Sequence, residues 1–223
     1  MKALIVEIGF FEAFFKVHYT KTSRLTYPMP LPTTVAGMFG SMLGFSRKKA
    51  REAFAECLFG SGILGEVKRC VETATCIYAA RGRVGAETTH ILSEPRYYIV
   101  VADGQRAERW WEEIEKGLKF LPFGGQNDFF PKYWHVIDVV DVERSTEIMN
   151  YLPASWVSEI SPNTKIETFP VMHRLSDDNN FIFVLEGAVK TNREMPVARI
   201  NGKSIALYEL NGFYQIGEWK RMQ

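Results

Sequence analysis

The chain has 223 residues, 46% apolar and 24% charged, which is enough for one large domain or two small ones and excludes a disordered or fibrous protein. Its net charge of +1 hides a basic first half: residues 1–101 hold 13 Lys+Arg against 8 Asp+Glu, residues 102–153 hold 6 against 10, and residues 154–223 hold 8 against 8. Salt screens exposed charges beyond about 10 Å, so a neutral chain can still hold a polyanion on one basic face. Cys57, Cys70 and Cys76 form no CxxC pair and cannot all pair with one another, which points to a reducing, cytoplasmic setting.

In chain order, Lys2–Ile8 is a β-branched run suited to a buried strand. The basic run Lys16–Arg24, "KVHYTKTSR", then leads into a charge-free stretch, Leu25–Phe45. Pro28, Pro30 and Pro32 deny that stretch a continuous helix, and the remaining 12 or so residues fall short of the roughly 20 a bilayer needs. Glu7 and Glu12 interrupt any signal-like apolar core, so neither export nor membrane insertion is expected. Thr33 or Thr34 is predicted to cap a helix whose apolar stripe is Val35, Met38, Phe39, Met42 and Leu43, with Gly37, Gly40, Ser41 and Gly44 on the other side. A second helix is predicted from Ser46 as cap to Gly60 as stop.

Segments 67–81 and 94–103 read as two strands enclosing 82–93, a long hairpin; 105–117 reads as a helix and 134–142 as a strand. Strand, helix, strand, strand, helix, strand is the order of a split βαβ, or ferredoxin-like, unit. From about Trp156 the pattern changes to short strands with turn signals at "DDNN", Asn201-Gly202 and Asn211-Gly212, the last before a strand "FYQIGEW". The expected class is therefore α+β: a ferredoxin-like domain over residues 1–150 and a small β-rich lobe over 151–223.

Three glycines on one helix face cost about 1 kcal/mol each against alanine, so something must approach that face closely. A neighbouring strand or lobe would serve, and so would an RNA backbone over the helix start, where free N–H groups favour phosphate. The run "KVHYTKTSRLTY" combines three cations, His18, two aromatics and four hydroxyls without an acid. That mixture suits phosphate contacts with base stacking, or a solvated polar loop. Arg81, Arg83 and His90 at the hairpin ends, with Lys68 and Arg69 at its base, extend the basic side; the hairpin is either a surface loop or an RNA-clamping finger. Arg47–Arg51, "RKKAR", is read as a solvated helix face. Phe120–Trp134 places aromatics around Gly124-Gly125-Gln126-Asn127, either a plain turn with buried rings or a docking surface.

No metal-ligand spacing occurs among His18, His90, His135 and His173, and neither a phosphate-binding loop nor a nucleophile elbow is present. No metal or cofactor is expected. A metal-independent ribonuclease would need a general acid or base beside the scissile phosphate, for which His18, Tyr19, Lys21 and Tyr27 are the candidates.

The strand "ALIVEI", the segment "SRLTYPMPLPTTVAGMFGSMLG" and the later "PFGGQNDFFP" together resemble the CRISPR-associated "Cas five" family of the RAMP superfamily, subunits of type I Cascade complexes. The resemblance extends over most of the chain, and its specific part is the roughly 25 residues from Ser23. It implies an RNA-recognition-like ferredoxin fold with a β-rich C-terminal portion, a thumb at about residues 81–92, and a role holding the 5′ repeat-derived handle of the guide RNA. Its partners would be the crRNA and the backbone and large subunits of the complex. By position, Arg24 and the turn of Thr33, Thr34 and Gly37 would lie near the handle, and the basic loop with Lys16, His18 and Lys21 would hold its phosphates. Arg81, Arg83 and the thumb would reach the adjacent RNA or a backbone subunit. One branch of the family cleaves the guide precursor with a Tyr, Lys and His site that includes an adjacent Lys-His pair. This chain has no Lys-His dipeptide, so a non-catalytic binder is expected, with the metal-independent endoribonuclease as the alternative.

Overall fold

A computed structural model describes residues 1–18, 23–78 and 82–213. Its main elements are β1 (Lys2–Phe10), α1 (Pro32–Met42), α2 (Arg47–Ala53), β2 (Leu58–Ile63), β3 (Lys68–Tyr78), β4 (Arg83–Ser93), β5 (Arg96–Asp103), α3 (Ala107–Glu115) and β6 (Pro131–Asp141). There follow β7 (Glu143–Ile148), β8 (Tyr151–Pro153), β9 (Val157–Ile160), β10 (Lys165–Pro170), β11 (Asn180–Glu186), β12 (Val189–Ile200), β13 (Lys203–Ala206) and β14 (Tyr208–Glu209). The chain is mostly strand, with three α-helices among the described residues. None of these helices is long and apolar enough to cross a membrane.

The central sheet runs β6-β1-β5-β2-β14, antiparallel throughout. β1 lies inside it, and its near-continuous apolar run is buried on both faces, as a strand covered on two sides must be. Leu4, Val6, Ile8 and Phe10 join the larger core with Val35, Phe39 and Met42 of α1 and Trp110 and Ile114 of α3. On the opposite face Ala3 and Ile5 pack with Tyr98, Val100, Ala198, Ile205 and Leu207. The second cover is possible because β2 presents Gly60 and Gly62 to it: a Cβ on Gly60 would lie 2.5 Å from the Ala206 carbonyl oxygen, and one on Gly62 would lie 2.9 Å from Ile205 Cδ1.

The predicted stripe of α1 is buried along its whole length. Its start differs from the expectation: Leu31 occupies the cap position, Pro32 opens the helix, and Thr33 and Thr34 lie inside the first turn. Proline's fixed φ and missing N–H suit that first position, so no hydroxyl cap is needed. Gly44, at φ +68°, ends the helix, donating to the Ser41 carbonyl while Phe45 N–H donates to the Gly40 carbonyl.

Ser46 caps α2, its hydroxyl accepting from the Lys49 N–H, yet α2 stops at Ala53 and not at Gly60. The residues beyond the turn at Phe54–Cys57 are drawn into the sheet as β2, where backbone pairing with β5 outweighs helix continuation.

The hairpin also differs. β3 and β4 pair residue for residue from Lys68 opposite Ser93 to Tyr78 opposite Arg83, so the segment read as an enclosed loop, 82–93, is itself a strand. The expected second arm, β5, belongs instead to the central sheet. Glu94 at φ +46° and Pro95 turn the chain from one sheet to the other. The C-terminal signals fared better: Asn201 and Gly202 both have positive φ, as a two-residue hairpin turn requires, and connect β12 to β13. Gly212 closes a short 3₁₀ turn, Leu210–Gly212; the strand expected at "FYQIGEW" lies outside the described residues from position 214 on.

The larger apolar cluster contains residues from both sides of position 150. Tyr27 is stacked on Phe183 with ring centroids 5.5 Å apart, meets Phe169 edge-on, and donates its hydroxyl to the Pro170 carbonyl at 2.8 Å.

Candidate nucleic-acid interface

Short strand pieces fold the basic run onto the hairpin. Phe15–Lys16 pairs with Thr26–Tyr27, and Ser23–Arg24 lies parallel to Thr88 and Thr89 of β4. Period 2 along Phe15–His18 buries Phe15 and Val17 and leaves Lys16 exposed. His18 is also exposed; desolvation by its neighbours and then the Lys16 charge lower its pKa, so it is a neutral imidazole at pH 7. Tyr19 and Lys21 lie outside the described residues.

Arg24 reaches across the pairing to Glu87 of β4, 2.6 Å away, with nearly half of its side chain still open to solvent. At the hairpin base Lys68 is exposed, and Arg69 grips Glu167 of β10 through both guanidinium Nη atoms. The hairpin is thus tied down at two points by charge pairs, neither of which follows from sequence spacing. His90 is half-buried opposite Val71. Arg83 closes the paired part of the hairpin opposite Tyr78, and Arg81 lies outside the described residues.

Arg24 and the first turn of α1 are joined by a fixed stretch of chain. The Tyr97 hydroxyl donates to the Pro28 carbonyl and the Ser61 hydroxyl to the Pro30 carbonyl, pinning the proline-rich approach against the sheet. Beyond it Thr33 and Thr34 are half-buried, and Gly37 is exposed with nothing within 4 Å of the place a Cβ would take. The glycine face therefore divides: Gly40 faces Ala50 and Phe54, an internal contact, whereas Gly37 is open. Of the residues considered for ribonuclease chemistry, Tyr27 is in the core with its hydroxyl engaged and does not share a surface with His18.

The Gly124-Gly125 pair is packed against the start of the chain. Phe14 N–H donates to the Gly124 carbonyl at 2.7 Å, and Gly125, at φ +97°, would place a Cβ 2.0 Å from the Phe14 carbonyl oxygen. Around this turn the rings divide: Phe120, Phe123 and Phe130 face solvent, as does Phe11, whereas Phe129, Tyr133 and Trp134 are half-buried, as is Gln126, and Asn127 is exposed. Phe11 escaped the sequence reading, although period 2 after the buried Phe10 places it outward.

The strip Lys16–His18–Arg24 is thus paired to the anchored hairpin through Arg24, and α1 follows it in the chain with Gly37, in its second turn, open. The strip carries the exposed Lys16 and the partly open Arg24, and the hairpin base carries the exposed Lys68. No family model matches this sequence, and no curated protein matches it. Among solved structures, a chain of a CRISPR RNA-guided surveillance complex matches at a TM-score of 0.52 and 16% identity, over 87% of this chain and 91% of that one. A CRISPR protein from Archaeoglobus fulgidus gives a TM-score of 0.49 at 14% identity, over 94% of this chain and all of the other. The first of these likenesses establishes the fold alone: a mostly β, α+β chain folded like that chain of a CRISPR RNA-guided surveillance complex.

Proposed function

We propose that this chain is a non-catalytic RNA-binding subunit of a type I CRISPR interference complex, holding the 5′ repeat-derived handle of the crRNA and contacting the backbone and large subunits. On this reading residues 1–143 form a ferredoxin-like unit. The reading is supported by the order β6-β1-β5-β2, with α1 and α2 between the first and second of these strands in the chain and α3 between the third and fourth. The observation that carries the functional reading is the attachment of the basic strip to the hairpin: Ser23–Arg24 pairs with β4, and Arg24 reaches Glu87 on that strand. Lys16, His18, Lys21 and Arg24 would hold phosphates, Thr33, Thr34 and Gly37 would admit the backbone, and Lys68, Arg81, Arg83 and His90 would continue the track along the hairpin. Gly124, Gly125, Gln126 and Asn127, with the exposed rings around them, would face a neighbouring subunit.

The test is binding of repeat-derived RNA in EDTA across a salt series, read for affinity and cleavage on one gel. Salt-sensitive binding of intact RNA is expected, with Arg24→Ala reducing the salt slope by about one charge. Glu87→Gln, which releases Arg24 from its ion pair, should strengthen binding. Cleavage lost in His18→Ala would make the chain a processing nuclease and overturn the proposal.

A further inference from the structure

The second face of the central sheet is only partly covered. Its cover, the β12–β13 hairpin, lies over Ala3, Ile5, Val100 and Gly60, and reaches its tip at Asn201, whose side-chain amide donates to the Tyr98 hydroxyl at 2.8 Å. Cross-strand registers give the next rows of the same face. Glu7 is flanked by His135 and Tyr98, and Gly9, two residues on, by Tyr133 and Arg96. His135 and Arg96 are exposed and Tyr133 half-buried.

This corner is built. Gly9 allows the Tyr133 ring to lie against the sheet, since a Cβ there would be 2.5 Å from Tyr133 Cε1. The Tyr133 hydroxyl donates to Glu7 Oε1 at 2.8 Å, and its ring centroid is 5.4 Å from that of His135 at 34° between planes. Arg96 passes close over Gly65, where a Cβ would meet its Nη2 at 2.9 Å, and it stands across β1 from Tyr133, both being paired with Gly9. Two neighbouring rings of fixed orientation and a positioned guanidinium on an open sheet surface are the equipment for stacking an unpaired base and holding its phosphate.

We infer that the uncovered corner of the sheet, Tyr133 and His135 on β6 with Arg96 on β5, is a stacking site for an unpaired base of single-stranded RNA. This rests on the RNA-binding reading above but uses none of its residues. The covered half of the face explains why such a site sits on the fourth strand and not on the two central ones: there β1 and β5 present Ala3, Ile5, Val100 and Ala102 to the protein's own hairpin.

The test uses the full chain and repeat-derived single-stranded RNA carrying 4-thiouridine. Tyr133→Ala and His135→Ala should each weaken binding by about tenfold, in the range measured for loss of one stacked base, without changing the salt slope. Arg96→Gln should lower the slope by about one charge. Tyr133→Phe, which keeps the ring and drops the bond to Glu7, should bind like the wild type, separating stacking from a structural role. Photo-crosslinks should map to the β6 peptide. Wild-type binding with unchanged affinity in both alanine variants and no β6 crosslink would overturn this inference alone; a wild type that binds no RNA would overturn it together with the functional reading.

Discussion

Gly60→Ala tests how the sheet acquires its second cover. The added methyl would sit 2.5 Å from the Ala206 carbonyl oxygen, 3.0 Å from Leu207 Cδ2 and 3.1 Å from Ile205 Cγ2. The first of these is backbone, held on one side by β12–β13 pairing and by the Asn150 side-chain amide, which donates to the same oxygen at 3.1 Å. It cannot rotate away, so the strand must shift. Overpacking of this kind costs about 3 kcal/mol at its upper end, offset by about 0.5–1 kcal/mol from the lower chain entropy of alanine in the unfolded state. The net expectation is a loss of about 2 kcal/mol, or a fall of about 4–8 °C in Tm for a chain of this size. Urea denaturation followed by tryptophan fluorescence measures it, with Gly37→Ala as the opposite control. Gly37 is helical, exposed and unopposed, so alanine there should add about 1 kcal/mol. A Gly60→Ala protein within 0.5 kcal/mol of wild type would show that residues 203–207 do not press on β2 as described, and the partition of the sheet face would fall with it.

Gly37→Ala carries a second expectation: while stabilising the fold it should weaken RNA binding, because the methyl occupies the space proposed for the RNA backbone, and a gel-shift titration decides it. Burial pushes the Asp103 carboxyl up, but the Arg106 guanidinium and the N–H groups of Gln105 and Arg106 outweigh it and hold it well below the ordinary range. A lowered folded-state pKa gives stability that is present above about pH 4 and lost as pH falls below it. The urea midpoint of wild type should drop more steeply in that acid range than that of Asp103→Asn, which should itself lose about 2 kcal/mol at pH 7 with its charged acceptor. Burial, and then the neighbouring Asp103 charge, push the Cys57 thiol up to about 12. Iodoacetamide should therefore leave Cys57 unmodified in the native protein at pH 8, as peptide mass mapping would report. Glu167→Ala, which cuts the tie from β10 to Arg69, should cost about 1 kcal/mol or less at this partly exposed pair while raising hydrogen exchange along β3.

Local patterns carried much of this in the amino-acid sequence. The apolar run of β1, the stripe of α1, the Ser46 cap and the Asn201-Gly202 turn are short-range signals, each decided by neighbours within a few residues. The strip from Lys16 to Arg24 was legible for the same reason, as a local concentration of cations without acids. Tertiary structure decided whatever depended on distant partners. The segment 82–93 became a strand because β3 lay beside it, and α2 stopped at Ala53 because β5 claimed the residues after it. Tyr27 left the candidate surface for the core because Phe169 and Phe183, some 150 residues away, enclose it. Nothing near Tyr133 or His135 marks them as neighbours of Arg96; only the register of three strands does. Periodicity states which residues prefer burial, but the choice of partner is a long-range contact whose free energy is set by the whole packed core.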